Sequence, residues 1–162
     1  MSGLSPAVAR VAAALRASGI DSGIVELPGA ARTAQLAADF LGCEVGQIAN
    51  SLVFRGAHSG TPILVMSSGA RRVDTAKLAA IVGEPIAKAD ADFVRASTGF
   101  AIGGVAPVGH TGAVRAFVER SLAAYDSVWA AAGHPNTVFR LAYHDLVRIT
   151  GGAEIDAAQS QA

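Results

Sequence analysis

Glycines crowd one short stretch of the chain, GFAIGGVAPVGH, which spans residues 99–110. It contains four glycines, one proline and one histidine. Three structures would explain this composition: a phosphate-binding loop, a plain turn, or the wall of a ligand pocket. Backbone without side chains lets a ligand approach main-chain amides closely. Because such amides can stabilise a developing oxyanion, acyl chemistry is one function to consider.

The phosphate-binding alternative fails on spacing. A P-loop needs a lysine followed by serine or threonine directly after its last glycine, and this stretch contains no lysine. A dinucleotide fingerprint needs G-x-G-x-x-G between a strand and a helix. Here Gly103 and Gly104 are adjacent, and the following AVRAFVER favours a strand. A plain turn stays open beside the pocket wall, although four glycines exceed what one turn requires.

The histidines and the single cysteine form no recognisable catalytic or metal-binding pattern. No pair among His58, His110, His134 and His144 has the i, i+4 spacing of a helical zinc site. Cys43 follows a glycine that is expected to end a helix, which favours a role as a small apolar filler. No G-x-S-x-G motif is present. We therefore expect no metal and no cofactor, and the sequence offers no evident protein nucleophile.

Composition and charge limit the classes of partner. The chain has 162 residues, 51% of them hydrophobic and 16% charged, which fits one globular domain. A formal net charge of zero argues against wrapping duplex nucleic acid, so DNA is not an expected partner. Docking of one nucleic-acid end through a local patch, such as Arg71 and Arg72, stays open. One cysteine and the lack of a leader or an apolar span predict a cytoplasmic protein without membrane contact.

The order of elements predicts the fold class. Capping residues followed by apolar positions at helical spacing predict helices that begin after Ser5, Thr33, Asp74 and Asp90. QIANSLVFRG and TPILVMSSG, joined by GAHSG, predict an antiparallel hairpin. We expect a single α+β domain with a curved, mixed and largely antiparallel sheet and helices packed around it. The domain is expected to span residues 1–152, followed by a flexible tail over 153–162.

The order of four longer segments is more specific than any one of them. TAQLAADFLGCEVGQIANSLVF is followed by ILVMSSGARRVDTAKLAAIVG, then by ADFVRASTGFAIGGVAPVGH and finally by GHPNTVFRLAYHDLVRIT. Together they resemble the YbaK/prolyl-tRNA-synthetase-associated domain family over residues 33–150. Members of that family are free-standing aminoacyl-tRNA deacylases or the editing domain of bacterial prolyl-tRNA synthetases. The resemblance implies an editing-domain fold and hydrolysis of the ester of a mischarged tRNA.

The resemblance also implies the site residues. The G-x-x-x-P element of the family corresponds to Gly103 and Pro107, and its amides face the ester carbonyl, which assigns Gly103, Gly104 and Val105 to oxyanion stabilisation. His134 corresponds to the histidine that borders the aminoacyl pocket. The resemblance implies a site without a metal, in which a vicinal ribose hydroxyl of the terminal adenosine helps to activate water. The further substrate-binding candidates near these motifs are Ser51, Phe100, Pro107, Gly109, His110 and Arg72.

One departure from the family pattern concerns a candidate catalytic residue. The family has I-x-K-[ST]-L where this chain has IANSL, so Asn50 occupies the lysine position. Ala106 likewise stands where many relatives have serine. A charge-assisted hydrogen bond is about twice as strong as a neutral one, so Asn50 would position the ester or ribose more weakly.

Two hypotheses follow, the first from the order of the four segments and the second from the asparagine at position 50. The first is a trans-acting deacylase that binds the acceptor end of a mischarged tRNA bearing a small or medium amino acid, with an aminoacyl-tRNA synthetase as a further candidate partner. The second is a non-catalytic module that binds an aminoacyl-tRNA or a related ligand.

Overall fold

The computed structural model describes residues 5–29 and 33–160. Within these ranges five α-helices surround one eight-stranded sheet. The helices are α1 (Pro6–Ala17), α2 (Ala34–Leu41), α3 (Thr75–Val82), α4 (Ala91–Thr98) and α5 (Tyr143–Thr150). The strands are β1 (Val25–Glu26), β2 (Ile48–Gly56), β3 (Pro62–Ser68), β4 (Ile86–Lys88), β5 (Arg115–Glu119), β6 (Ser127–Ala131), β7 (Thr137–Ala142) and β8 (Ala153–Ile155). Short 3₁₀ helices lie at Val45–Gln47 and Arg120–Ala124.

The strands pair in the order β1-β7-β6-β2-β3-β5-β8, and β4 adds to β2. The β2–β3, β2–β4, β6–β7 and β1–β7 pairs are antiparallel. The β2–β6, β3–β5 and β5–β8 pairs are parallel. The predicted α+β domain with a mixed sheet is confirmed, as is the β2–β3 hairpin. The parallel share is larger than expected because β5, β6 and β8 each return beside a strand that runs in the same direction.

Local capping explains where the helices begin. Ser5 Oγ accepts a hydrogen bond from the Val8 amide at 3.2 Å, and Thr33 Oγ1 accepts one from the Leu36 amide at 3.1 Å. Asp90 caps α4 in the same way at 2.8 Å. These side chains satisfy amides that lack partners in the first helical turn. The predicted helix starts therefore follow from chemistry within a few residues of each cap.

The core lies on both faces of the sheet. Alternate strand residues such as Met66, Val118 and Phe139 are buried on one face, against α1, α4, α5 and the glycine stretch. Two smaller clusters lie on the other face, where Ala37 of α2 and Leu78 of α3 are buried. The glycine stretch is therefore held on the main core, while α2 and α3 cover the opposite side.

The expectation of a flexible tail is wrong for residues 153–160. Strand β8 pairs with β5, and Ala157 and Ala158 are buried. Glu119, only 1% exposed, accepts hydrogen bonds from the amides of Ala157 at 3.0 Å and Ser121 at 2.8 Å. Burial by itself would raise the pKa of the Glu119 carboxyl, but these bonds outweigh burial and lower the pKa. Small side chains and one buried carboxylate therefore hold a segment whose composition resembles that of a tail.

Within the described residues, no helix is long and apolar enough to cross a membrane.

Candidate active site

A cavity of about 280 Å³ lies between α2, β2, β6 and the glycine stretch. Its walls are mostly apolar, formed by side chains such as those of Leu27, Ile48, Trp129 and Val138. The polar side chains that line it belong to Thr33, Asn50 and Ser51. None of the described residues that line it is ionisable. The described part of the wall therefore presents neutral hydrogen-bonding groups to a ligand.

The cavity forms where the sheet opens. Strand β2 pairs with β6 only through Ile48 and Ala49, after which the two strands diverge. Strand β4 joins the same edge of β2 farther along, at residues 54–56. Residues 50–53 therefore have a neighbouring strand, β3, on one edge only. The gap between β6 and β4 leaves room for a ligand beside β2.

Asn50 and Ser51 reach the cavity from this interrupted edge. Both are half-buried. The Ser51 hydroxyl lies 3.3 Å from the sulfur of Met66, while the Asn50 carboxamide makes no hydrogen bond to any described residue. Asn50 is thus positioned by its strand and keeps its hydrogen-bonding capacity for a ligand.

The glycine stretch contributes Gly103 to the same cavity. Gly103 is exposed and has a φ of +88°, a conformation that favours glycine. Gly104, by contrast, is buried and donates its amide hydrogen to the Ala101 carbonyl at 2.9 Å. Val105 is 2% exposed and does not line the cavity. Of the three expected oxyanion donors, only Gly103 is brought together with Asn50 and Ser51.

A close contact with the backbone of His134 explains why residue 104 is a glycine. A Cβ on Gly104 would lie 2.9 Å from the Cα and from the carbonyl carbon of His134. Side chains do not pack against backbone that closely, so only glycine allows this contact. Gly104 therefore joins the glycine stretch to the turn that begins at His134.

His134 lies at the rim rather than in the wall. It is exposed, and its Nδ1 accepts a hydrogen bond from the Asn136 amide at 3.2 Å. The neutral ring must then hold its proton on Nε2, which leaves Nε2–H as the outward donor. The next residue, Pro135, does line the cavity. The predicted border position of His134 thus corresponds to a turn beside the cavity opening.

Arg10, a residue the sequence did not single out, holds the two ends of the glycine stretch. Its guanidinium donates to the Gly99 carbonyl at 2.8 Å and to the Gly109 carbonyl at 3.3 Å. It also lies over the Phe100 ring, 5.0 Å from the ring centroid. Because these partners are about ninety or more positions away in the chain, no local pattern points to Arg10.

Four predicted substrate contacts lie away from the cavity wall. Phe100 is 1% exposed and Pro107 is buried, so neither is accessible to a ligand. Gly109 accepts from Arg10, and His110 Nε2 donates to the Ala106 carbonyl at 2.7 Å. Burial lowers the pKa of His110, although this hydrogen bond opposes the effect. These residues shape the loop, and their assignment to substrate binding is not supported.

The adjacent arginines contact the C-terminal segment instead of the cavity. Arg71 donates to the Gln159 carbonyl at 2.9 Å, and the Arg72 carbonyl accepts from the Gln159 amide at 2.7 Å. The Arg72 side chain is exposed and does not line the cavity. A contact between Arg72 and a substrate would therefore occur outside the cavity.

A family of known proteins matches this chain over most of its length. The model of the aminoacyl-tRNA editing domain matches residues 29–149, most of the chain. This chain belongs to the aminoacyl-tRNA editing domain family. The resemblance inferred from the order of the four segments is thereby confirmed.

Solved structures share the editing-domain fold. A crystal structure of a "putative trans-editing enzyme for prolyl tRNA synthetase" is 43% identical with a TM-score of 0.91, and the match covers 98% of this chain and 100% of that one. The hypothetical protein APE2540 is 25% identical with a TM-score of 0.84, over 93% of this chain and 99% of that one. The uncharacterised Bacillus subtilis protein YwhH is 28% identical over 126 residues, 78% of this chain and 80% of YwhH. The interrupted β2 edge and the glycine stretch thus belong to an editing domain.

Proposed function

We propose that this editing domain is a trans-acting aminoacyl-tRNA deacylase that hydrolyses the ester of a mischarged tRNA. The observation that supports it is the meeting of Asn50, Ser51 and Gly103 at one cavity of about 280 Å³. Water adds to the ester carbonyl carbon, and the bond from that carbon to the ribose oxygen breaks. The free amino acid and the 3′ hydroxyl of the tRNA leave. The protein's contribution is to position the ester and to stabilise the oxyanion.

The absence of ionisable side chains from the described cavity wall shapes this mechanism. The described residues of the wall include no carboxylate or imidazole that could take the proton of the attacking water. A hydroxyl of the terminal ribose, which arrives with the substrate, is the group that activates water in this proposal. Preorganised neutral donors then lower the barrier, an effect worth about 3 to 4 kcal/mol for a single donor in other acyl-transfer sites.

Gly103 and Asn50 are the proposed donors. The Gly103 amide makes no main-chain hydrogen bond to a described residue, and its position in the wall makes it available to the oxyanion. The Asn50 carboxamide, which lines the same cavity, provides a second donor. Gly104 can contribute only if the turn releases its bond to Ala101. The proposed oxyanion site is therefore centred on Gly103.

Cavity size and polarity support a small or medium amino acid. Ligand pockets for larger molecules have volumes of about 300 to 1,000 Å³, and this cavity lies at the lower limit. A charged side chain would enter a wall without an ionic partner among the described residues, which carries a high desolvation cost. We propose uncharged substrates of modest size.

The second candidate is a non-catalytic module that holds an aminoacyl-tRNA. Two observations favour it: Asn50 provides no positive charge, and the Gly104 amide is already bonded to Ala101. Such a module would keep the cavity and bind the aminoacyl end without accelerating its release. In either case we propose a cytoplasmic setting and the tRNA acceptor end as the ligand, with a synthetase as a further partner.

A deacylation assay over a panel of mischarged tRNAs tests the proposal. We expect at least one ester to be hydrolysed well above its spontaneous rate, and Asn50→Ala to lower that rate by roughly tenfold. Gln35→Ala is the matched control, because it removes a carboxamide from an exposed position on α2 outside the cavity. If every mischarged tRNA of the panel is deacylated only at its spontaneous rate, the proposed deacylase activity is rejected. Tight aminoacyl-tRNA binding without turnover would support the binding module.

A further inference from the structure

The main chain of β2 has a defined orientation around the cavity. The Gly69 amide donates to the Ile48 carbonyl at 2.8 Å, and the Gly56 amide donates to the Thr61 carbonyl at 3.0 Å. In an antiparallel ladder, every second residue bonds the same neighbouring strand. The even-numbered residues of β2 therefore direct their N–H and C=O groups at β3. The main-chain N–H and C=O groups of Ser51 and Val53 point away from β3, toward the other edge of β2.

Ser51 has no strand partner on that opposite edge. The pairing with β6 ends at Ala49, and the pairing with β4 begins at Phe54. Neither pairing includes Ser51, so its N–H and C=O have no main-chain partner among the described residues. Ser51 nevertheless lines the cavity. Main-chain groups in a folded protein are nearly always hydrogen-bonded, so these two groups remain available to a ligand or to water.

Ala131 faces Ser51 across the gap. The Ala132 amide donates to the Thr137 carbonyl at 2.9 Å, which fixes the β6–β7 pattern and directs the groups of Ala131 toward β2. The Ala131 carbonyl would accept from the Ser51 amide if the β2–β6 ladder continued, but the pairing stops before that position. Both residues line the cavity. The space between them is therefore one strand-like bonding position left open.

An aminoacyl ester matches this open position chemically. One residue of an antiparallel strand offers its neighbour an N–H donor and a C=O acceptor separated by a single Cα. An aminoacyl ester offers an α-ammonium donor and an ester carbonyl separated in the same way. Extended ligands commonly bind proteins by adding to an exposed strand edge. A single aminoacyl group can do so over the length of one residue.

We infer that the main chain of Ser51 binds the backbone of the aminoacyl group, an assignment that rests on the proposed function. The Ser51 carbonyl accepts a hydrogen bond from the α-ammonium group, and the Ser51 amide donates to the ester carbonyl oxygen. That oxygen has a second lone pair for the Gly103 amide, which lines the same cavity. The site thus recognises the backbone shared by all aminoacyl groups and requires a free α-amino group.

Nuclear magnetic resonance with a stable analogue tests this inference directly. The probe is adenosine with an alanyl group attached through a 3′ amide, which keeps the α-ammonium and the carbonyl but is not hydrolysed. We expect a saturable downfield shift of the Ser51 amide proton. Val53 is the matched control, because its amide lies on the same edge but it does not line the cavity. A Ser51 shift no larger than that of Val53, or no binding, would overturn the inference.

Proline substitution gives a second measurement. Because the Ser51 amide is outside the β2–β3 ladder, Ser51→Pro should fold, whereas Leu52→Pro removes a ladder bond and should destabilise the chain. Ser51→Ala removes the hydroxyl but keeps the amide. We expect analogue affinity of Ser51→Pro to be roughly tenfold or more below that of Ser51→Ala. Equal affinities would count against a role for the amide.

The two proposals fail in different ways. If the wild-type chain deacylates the panel but its Ser51 amide does not respond to the analogue, the inference fails and the deacylase stands. Suppose instead that no mischarged tRNA of the panel is hydrolysed, while the analogue shifts the Ser51 amide proton and an N-acetylated analogue does not. The proposed deacylase activity then fails, and the inferred binding of the aminoacyl backbone by Ser51 stands.

Discussion

Asn50 and Ser67 face each other across a hydrogen-bonded pair of β2 and β3. Ser67 is 1% exposed, and its hydroxyl has no hydrogen-bond partner among the described residues. The Cα atoms of such a pair lie about 5.5 Å apart, and their side chains share one face of the sheet. The candidate catalytic asparagine therefore lies beside a buried hydroxyl that lacks a partner.

The first prediction concerns that hydroxyl. Ser67→Ala should raise the free energy of unfolding by about 1 kcal/mol, because it removes a buried polar group that gains nothing from folding. Ser68→Ala is the matched control: the Ser68 hydroxyl donates to the Gly46 carbonyl at 2.9 Å, so its removal should lower stability by about 1 kcal/mol. Urea unfolding measures both. A loss of stability in Ser67→Ala would contradict this prediction, because it would show that the Ser67 hydroxyl has a hydrogen-bond partner in solution.

The second prediction concerns charge at position 50. Asn50→Lys would introduce an ionisable side chain into a cavity whose described wall has none. Because a charge-assisted hydrogen bond is about twice as strong as a neutral one, we expect deacylation to rise by roughly fivefold or more. Gln35→Lys adds the same charge outside the cavity and should leave the rate unchanged. Single-turnover deacylation is the measurement, and a slower Asn50→Lys enzyme would contradict the proposed role.

The third prediction concerns the contact between Gly104 and His134. A Cβ at residue 104 would lie 2.9 Å from backbone atoms of His134, so Gly104→Ala forces the two segments apart. We expect a loss of about 2 kcal/mol in the free energy of unfolding. Gly23→Ala, where a Cβ meets nothing within 4 Å, is the control and should be neutral. Equal thermal stability of the two variants would argue against this close approach.

The fourth prediction concerns pH. Burial lowers the pKa of His110 below its ordinary value of 6.5, although the bond to the Ala106 carbonyl opposes this. The unfolded chain then binds a proton in a pH range where the folded chain does not, so stability falls as the pH drops below about 6.5. His110→Gln should flatten this dependence of the melting temperature. His144→Gln, at an exposed position, should preserve it.

The fifth prediction concerns the C-terminal segment. Glu119→Gln removes the charge that binds the amides of Ala157 and Ser121, and should cost about 1 to 3 kcal/mol. Because the pKa of Glu119 is lowered, its stabilising effect is present above the ordinary pKa and is lost as the pH falls through the folded value. Hydrogen exchange should become faster at Ala157. The exposed Glu26→Gln should leave exchange unchanged.

The same segment shows where prediction from the sequence stops. Helix starts at Ser5, Thr33 and Asp90 were predictable because a cap and its amide lie within three residues of each other. Strand β8 was not, because it depends on β5, more than thirty positions earlier, and on a carboxylate from Glu119. The parallel β2–β6 pairing was missed for the same reason. Pairing over such distances leaves no local pattern.

The sequence by itself determined the helix starts and the β2–β3 hairpin, because capping and turn chemistry act within short stretches. The order of the motifs determined the family and pointed to the two segments of the site, the IANSL stretch and the glycine stretch. Only the tertiary structure decided which groups of those segments face the cavity. It directs Gly103 into the wall and engages the Gly104 amide in a turn. It also opens the sheet beside Ser51 and buries Phe100 under Arg10. These outcomes depend on packing between distant residues, which no local preference specifies.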